Sequence, residues 1–253
     1  MKYFLKLDDE IYKDLNPIWD RDTVNGYTYL HNTTDRVGIG TDSPSYQLDI
    51  TKDFNLTNTT HSNQYGIIYK NGTRFIHDFN YGDNGTVTTD GGNLFMGANS
   101  GNFTMGSTAT SNWQSSNNVG IGPYSLSNLT LGYRNIANGV DAGRYITGGS
   151  TANETSNTSV YLGNNTKAKA DGDTNEIVIG YDTTGNGSNT ATIGNTSITD
   201  VYMGETGGAI VNAGGYKSSD GTAGMTGTKI FNDGEVVNTV VIKNGLITSW
   251  TQV

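Results

Sequence analysis

The chain has 253 residues, of which 34% are apolar and 15% charged, with 35 glycines and no cysteine. The formal charge of −9 argues against nucleic-acid binding, because a phosphate-binding groove needs clustered Lys and Arg and the 15 basic residues are scattered. Without cysteine there is no disulfide framework and no Cys-based zinc site. No apolar run approaches the roughly 18–20 residues of a membrane span, and the N-terminus does not resemble a secretory signal peptide.

This polar composition does not indicate disorder, because 25 aromatic residues and regular Val, Ile and Thr runs accompany it. We expect a thin, surface-rich structure that gains much of its burial by oligomerising. Residues 1–36 differ from the rest in their dense mix of charges, and we predict that they dock the protein to a larger particle. An ordinary N-terminal cap is the alternative, and a short helix over Asp8–Leu15 is conceivable.

Residues 37–85 are predicted to form a neck of strands and hairpins. A strand begins at Val37, a proline-containing turn covers Asp42–Ser45, and a second strand covers Tyr46–Ile50. The segment 65–77 is the plainest hairpin, because Asn71-Gly72 supplies the positive φ angles of a type I′ turn between two strand-like runs.

Residues 86–216 carry most copies of a repeat in which a short apolar stretch ends in glycine. Over the whole chain the copies are Val37–Gly40, Leu94–Gly97, Phe103–Gly106, Val119–Gly122, Leu129–Gly132, Val160–Gly163, Ile177–Gly180, Ala191–Gly194 and Val201–Gly204. Alternation over three residues is typical of a strand, and glycine then permits a sharp bend. A gap of 31 residues between two of the glycines predicts a degenerate copy near Gly148. The irregular period of about 10–17 residues favours a β-roll shaft.

Residues 217–253 are predicted to form a tip of two consecutive hairpins. The first covers 229–237 and turns at Asp233-Gly234; the second covers 240–250 and turns at Asn244-Gly245. Strands as apolar as these need a cover, and sister chains would supply one.

Two groups of segments resemble known fibrous proteins. Val37–Ile50 and Val241–Trp250 resemble segments of bacteriophage fibre proteins, whereas Val160–Ala170, Ile177–Gly180 and Ala191–Gly194 are similar to the β-roll heads of trimeric autotransporter adhesins. The resemblance implies an intertwined homotrimer that attaches to surfaces. Because no leader and no C-terminal membrane-anchor barrel are evident, a phage fibre is the favoured interpretation. The expected fold is therefore an all-β, elongated β-solenoid or β-roll with hairpins, intertwined as a homotrimer.

Catalytic and metal-binding motifs are weak in this sequence. His31, His61 and His77 have no partner at i+2 to i+4, so surface or turn positions are expected for them. The segment 171–176 places oxygen ligands at alternate positions, which permits a bound cation but favours an Asp/Asn turn. No nucleophile elbow, phosphate-binding loop or HExxH motif occurs. We therefore predict no enzyme activity and no cofactor.

Exposed aromatic side chains are the better candidates for a binding site. The candidate receptor contacts, which would stack on sugar faces of a host glycan, are Trp113, Tyr124, Tyr133, Tyr145 and Trp250. The alternative is that these side chains fill the trimer axis or cap the ends of the shaft. The predicted function is that of a structural virion fibre, made in the host cytoplasm, which binds other virion proteins through residues 1–36 and attaches to a host surface glycan or protein. A small polysaccharide depolymerase and a spacer without receptor remain alternatives.

Overall fold

The structure, a computed structural model, describes the following residues: 19–22, 27–30, 36–39, 43–205, 210, 211, 213, 224, 226–232, 237–243 and 246–252. Every regular element in these ranges is a β-strand, which confirms the all-β prediction. Over the same ranges no helix is long and apolar enough to cross a membrane. The chain divides into two compact units, 1–195 and 196–253. The helix considered for Asp8–Leu15 lies outside the described residues, and the four-part division of the chain stays a prediction.

The N-terminal part contains three pairs of short strands. Strands β1 (Trp19–Asp22) and β2 (Tyr27–Leu30) pair antiparallel, whereas β3 (Val37–Ile39) and β4 (Leu48–Ile50) pair in parallel. Strands β5 (Ile68–Lys70) and β6 (Thr73–His77) form the predicted hairpin. Its turn residues Asn71 and Gly72 have φ angles of 50° and 70°, as a type I′ turn requires.

Six three-residue strands extend the sheet that β5 and β6 begin. They are β7 (Leu94–Met96), β8 (Val119–Ile121), β9 (Ile136–Asn138), β10 (Val160–Leu162), β11 (Ile177–Ile179) and β12 (Ala191–Ile193). Strand β7 pairs antiparallel with β6, and each later strand pairs in parallel and in register with the one before it. The chain therefore returns to the same edge of the sheet after each repeat, although the repeats differ in length.

The structure corrects two details of the predicted repeat. Six of the nine copies form strands, but 103–105 lie in a turn and 129–131 and 201–203 have no regular structure. The degenerate copy is not near Gly148, which lies in a turn, but is β9, followed by Gly139. The apolar pattern missed this copy because its third residue, Asn138, is polar.

The central residue is buried in the strands β7 to β11 and partly buried in β12, and its two neighbours are more exposed. The side chains of Phe95, Ala137, Tyr161 and Val178 are fully buried. They pack in one cluster with residues from the turns and from the segment after β6, among them Phe79, Met105, Leu126 and Leu129. The core of this unit is therefore a single row of side chains, one or two from each repeat.

A ladder of hydrogen bonds joins the buried residues that precede the strands. The Oδ1 atom of Asn93 accepts from the backbone N of Asn118 at 2.9 Å, and the Oδ1 atom of Asn118 accepts from the backbone N of Asn135 at 3.1 Å. The Oδ1 atom of Asn135 accepts from the N of Ser159, whose Oγ accepts from the N of Glu176. These bonds satisfy buried peptide groups that a short strand cannot pair.

The close spacing of the repeats explains why a glycine follows the strands. At Gly122, φ is +119°, and a Cβ atom there would lie 2.5 Å from the carbonyl oxygen of Gly139 in the next repeat. No side chain fits in that space, which explains why the repeat ends in glycine.

The C-terminal unit contains the two predicted hairpins as one antiparallel sheet. Strand β13 (Gly227–Asn232) pairs with β14 (Val237–Lys243), which also pairs with β15 (Leu246–Gln252). The strand positions confirm both hairpins, while their turn residues lie outside the described ranges.

Candidate functional site

The structure brings together two of the five predicted aromatic contacts. Tyr124 and Tyr145 both face the guanidinium group of Arg144, whose Cζ lies 4.7 Å and 4.8 Å from the centres of their rings. Tyr133 lies 5.7 Å from the Cζ of Arg134, and Trp113 is exposed. Trp250 belongs to the other compact unit, where its Nε1 donates to Asn238 Oδ1 at 3.0 Å.

Tyr124 and Arg144 belong to an open groove of about 320 Å³. The residues lining this groove are Arg74, Asn99, Gly101, Asn102, Phe103, Tyr124, Ser127, Asn128 and Arg144. They come from strand β6 and from the turns that follow β7, β8 and β9, so the register of the sheet places them side by side. We call this the arginine groove. Its volume is near the lower end of the roughly 300–1,000 Å³ that is common for small-molecule sites.

One wall of the arginine groove is built directly on the core. The ring of Phe103 stacks on buried Phe79 at 4.4 Å and meets buried His77 edge-on at 4.8 Å. The guanidinium of Arg74 also lies over this ring, with its Cζ 4.0 Å from the ring centre. Because Phe103 is held by the core, Arg74 has a fixed position.

The opposite wall holds Arg144. Besides its contacts with the two tyrosine rings, its Nη1 donates to Asp141 Oδ1 at 2.7 Å. Asn128 Nδ2 in turn donates to the Arg144 carbonyl oxygen at 3.1 Å. Arg144 is thus held on a rigid turn with part of its guanidinium facing the groove.

Several polar atoms around the arginine groove lack a hydrogen-bond partner within the described residues. The Nε atoms of Arg74 and Arg144 and the Oγ atom of Ser127 are buried and unpaired, and together they make up half of the six such atoms found in those residues. Burial also lowers the pKa of Arg74 below its ordinary value. Buried donors without acceptors are costly, so a bound acceptor at this groove would stabilise the structure.

The backbone at Tyr124 is unusual for an aromatic residue. Its φ angle is 58°, in the left-handed region. The residues at the same position after β7, β9, β10 and β11 are Asn99, Asp141, Asn165 and Asp182, with φ angles of 52–58°. Asn and Asp tolerate this conformation, whereas a bulky residue is strained there by roughly 1–3 kcal/mol. The residues at this position after the other four strands are all Asn or Asp, so Tyr124 departs from the residue type that its backbone conformation favours.

A second cavity, of about 370 Å³, shares Arg74 with the arginine groove. Lys70 also lines it, with its Nζ 5.6 Å from the ring centre of Phe75. Three cationic side chains, Lys70, Arg74 and Arg144, therefore lie along adjoining cavities on a chain whose formal charge is −9.

The oxygen-rich segment 171–176 forms turns. Asp171 Oδ1 accepts from the backbone N atoms of Glu154 and Thr155 at 2.7 and 2.8 Å. Asp173 accepts from the N and Oγ atoms of Ser188 and, through Oδ2, from the N of Ala170. Because these oxygens point toward peptide donors in different repeats, the geometry favours the turn over the cation site.

The histidines occupy different environments. The expectation of a surface or turn position is wrong for His77, which ends β6 and is 4% exposed. Its Nε2 donates to the Ser100 carbonyl oxygen at 2.9 Å, and its Nδ1 accepts from the Phe79 backbone N at 3.2 Å. Burial lowers the pKa of His77 to about 4, so it is neutral at pH 7. His61 is exposed and stacks on Tyr81 at 4.3 Å, while His31 lies outside the described ranges.

Sequence reasoning found Tyr124 and Tyr145 but missed the arginines and Phe103. The repeat pattern predicts a strand at Phe103, and the hairpin pattern places Arg74 in an ordinary strand arm. The usable signal was Tyr124 itself, since four of the nine copies of the repeat place Asn or Asp two residues after the glycine and this copy alone places an aromatic residue there. Comparisons of the chain with protein-family models, curated proteins and solved structures found no match.

Proposed function

We propose that this protein is a bacteriophage virion fibre whose parallel strands form a β-solenoid, assembled as a homotrimer. The observation that carries this proposal is the outer face of the sheet from β7 to β12. Its first and third strand positions are almost all apolar and stay partly or largely exposed, including Leu94, Met96, Ile136, Ile177 and Ile193. Contiguous apolar surface on a soluble protein marks an interaction surface.

Sister chains suit this face better than an unrelated partner. The exposed apolar residues recur in every repeat and in register, so they form a continuous strip along the sheet from β7 to β12. We call this the apolar strip. An identical chain presents the same strip with the same spacing, and rotational symmetry then covers every copy at once. Three chains packed in this way would form a stiff shaft, as the resemblance to phage fibres and trimeric adhesins implies.

Attachment is the function that the arginine groove supports. A rigid groove with cationic and aromatic walls suits reversible binding, and none of its nine lining residues is a carboxylate that could serve in glycoside hydrolysis. Three equivalent weak sites on each fibre would raise avidity by orders of magnitude. Residues 1–36 would dock the fibre to the particle, leaving the shaft to project outward.

Cell binding by the purified full chain tests this proposal. Fluorescently labelled protein is incubated with a panel of bacterial strains, and bound fluorescence is measured with and without excess unlabelled protein. We expect saturable binding to particular strains and inhibition of particle adsorption to those strains. A spacer would bind to none of them, and a depolymerase would release oligosaccharide from their surface polysaccharide. Either result would contradict an attachment fibre.

A further inference from the structure

We propose that the arginine groove binds a carboxylate-bearing sugar residue of an acidic glycan. This inference rests on the proposed attachment function and specifies the chemistry of its ligand. The shared chemistry of such ligands is a planar carboxylate attached to a ring that has one apolar face and several hydroxyl groups.

The two arginines supply the recognition of the carboxylate. Arg74 donates no side-chain hydrogen bond within the described residues, and Arg144 uses one nitrogen for Asp141. A guanidinium has five donors in a fixed planar arrangement that matches a carboxylate. Both guanidinium groups are held by aromatic rings at 4.0–4.8 Å, so little conformational freedom is lost on binding.

The remaining walls suit a sugar ring rather than a bare anion. Tyr124 is 39% exposed and presents an aromatic surface against which an apolar ring face can stack. Asn99, Asn102 and Asn128 line the same groove with amide groups, which donate to and accept from hydroxyls. A phosphate or sulfate ion would use the arginines and the amide donors, but it has no apolar face to stack on the ring of Tyr124.

The backbone conformation at Tyr124 supplies a variant that tests this conclusion. Asparagine occupies the equivalent position at Asn99 and Asn165, with φ angles of 56° and 58°. The variant Tyr124→Asn is therefore expected to keep the fold while it removes the stacking surface. This gives a loss-of-binding variant that the repeat itself shows to be compatible with folding.

Binding of defined probes by the intact full-length protein tests the proposal. The probes are mono- and oligosaccharides carrying glucuronic, galacturonic or sialic acid, their carboxyl-reduced neutral counterparts, and inorganic phosphate. Titration calorimetry gives the dissociation constants, and saturation-transfer NMR identifies the bound ring protons. We expect at least one acidic probe to bind tenfold or more tightly than its reduced form and than phosphate.

Variants locate the binding. Arg74→Gln, Arg144→Gln and Tyr124→Asn should each weaken it about tenfold or more, whereas Lys52→Gln, which removes one exposed charge outside the groove, should leave it unchanged. The thermal melting temperature of Tyr124→Asn should be at or above the wild-type value. Absence of binding to every acidic probe at millimolar concentration, equal binding of the reduced probes, or phosphate binding as tight as the sugar would each overturn the inference.

The groove assignment and the attachment function can fail independently of each other. If the wild-type protein binds cells and Tyr124→Asn binds them equally well, the fibre attaches through another surface and only the groove assignment fails. If neither protein binds cells but the acidic sugar still binds, the groove assignment stands and the attachment function fails.

Discussion

At the residue scale, the electrostatic behaviour of His77 follows from its place in the core. Its ring packs against Phe95 at 5.1 Å and Phe103 at 4.8 Å, and both ring nitrogens are hydrogen-bonded. Desolvation opposes the charged form more strongly than the neighbouring groups favour it, so the pKa falls to about 4 from 6.5. The unfolded chain therefore binds a proton at a pH where the folded chain does not.

This difference predicts loss of stability in acid. The contribution of His77 is fully present above pH 6.5 and is lost as the pH falls through the folded-state pKa of about 4. The shift corresponds to about 3 kcal/mol in the free energy of unfolding. Urea unfolding at pH 7 and pH 4.5 measures it, and an NMR titration of the imidazole gives the folded pKa directly.

The variant His77→Gln isolates this effect, because an amide can donate to Ser100 and accept from Phe79 without titrating. Its stability should change less between the two pH values than that of the wild type. The control is needed because burial raises the pKa of Glu176, and this shift acts in the opposite direction to that of His77. An imidazole pKa near 6.5, or equal pH dependence of the two proteins, would contradict the assignment.

At the scale of the elements, three-residue strands depend on the side chains that join them. Asn118 is fully buried and saturated: its Nδ2 donates to Asn93 Oδ1 and the Gly132 carbonyl oxygen, and its Oδ1 accepts two bonds from Asn135. A buried side chain in each repeat thus accepts a hydrogen bond from a backbone N of the next repeat. The ladder stabilises the register because a shift by one residue would leave several buried groups unpaired at once.

The variant Asn118→Leu should cost about 3–5 kcal/mol of unfolding free energy, because it removes the acceptor of the Asn135 backbone N, one of the two acceptors of Asn135 Nδ2 and the donor to the Gly132 carbonyl. Asn118→Ser should cost less, since Ser159 occupies the same place in the ladder and accepts from Glu176 through its Oγ at 3.1 Å. Denaturant unfolding of the two variants checks the order. Equal stability of Asn118→Leu and wild type would show that the ladder contributes little.

The features of the fold and of the arginine groove that could be predicted from the sequence are those that a few neighbouring residues specify. The Asn71-Gly72 hairpin and the strands that end in glycine were predictable, because a turn or a strand period specifies them within a few residues. Strand β9 was missed because Asn138 breaks the apolar pattern, although parallel pairing with β8 and β10 holds it in place. The arginine groove was not predictable, since Arg74 and Arg144 become neighbours only through that pairing.

At the scale of the whole molecule, the core of the repeat unit is too narrow to bury its own strands. Ile136 is 48% exposed and Ile193 is 53% exposed, on a sheet whose other side already packs against the core. Fully burying an isoleucine side chain stabilises a protein by about 1.5–3 kcal/mol, so covering a strip with one or two such residues per strand favours association strongly. The strip is formed by strand residues, whereas the arginine groove is formed largely by the turns that follow the strands, so a shared face would not use the same side chains.

The proposed homotrimer makes a prediction about mass. Light scattering of the full chain should give roughly three times 27.0 kDa. Ile136→Lys, in the middle of the apolar strip, should shift the mass toward one chain, because a buried lysine without a partner is far more costly than the apolar contact it replaces. Tyr181→Lys is the matched control: Tyr181 is 72% exposed and lies outside the strands, so its replacement should leave the trimer intact.

A wild-type mass near 27 kDa would contradict the trimer, and a trimer unaffected by Ile136→Lys would place its interface on a different surface. A mass near 27 kDa would mean that the apolar strip stays exposed to solvent in a single chain. A trimer unaffected by Ile136→Lys would mean that the chains associate through other residues.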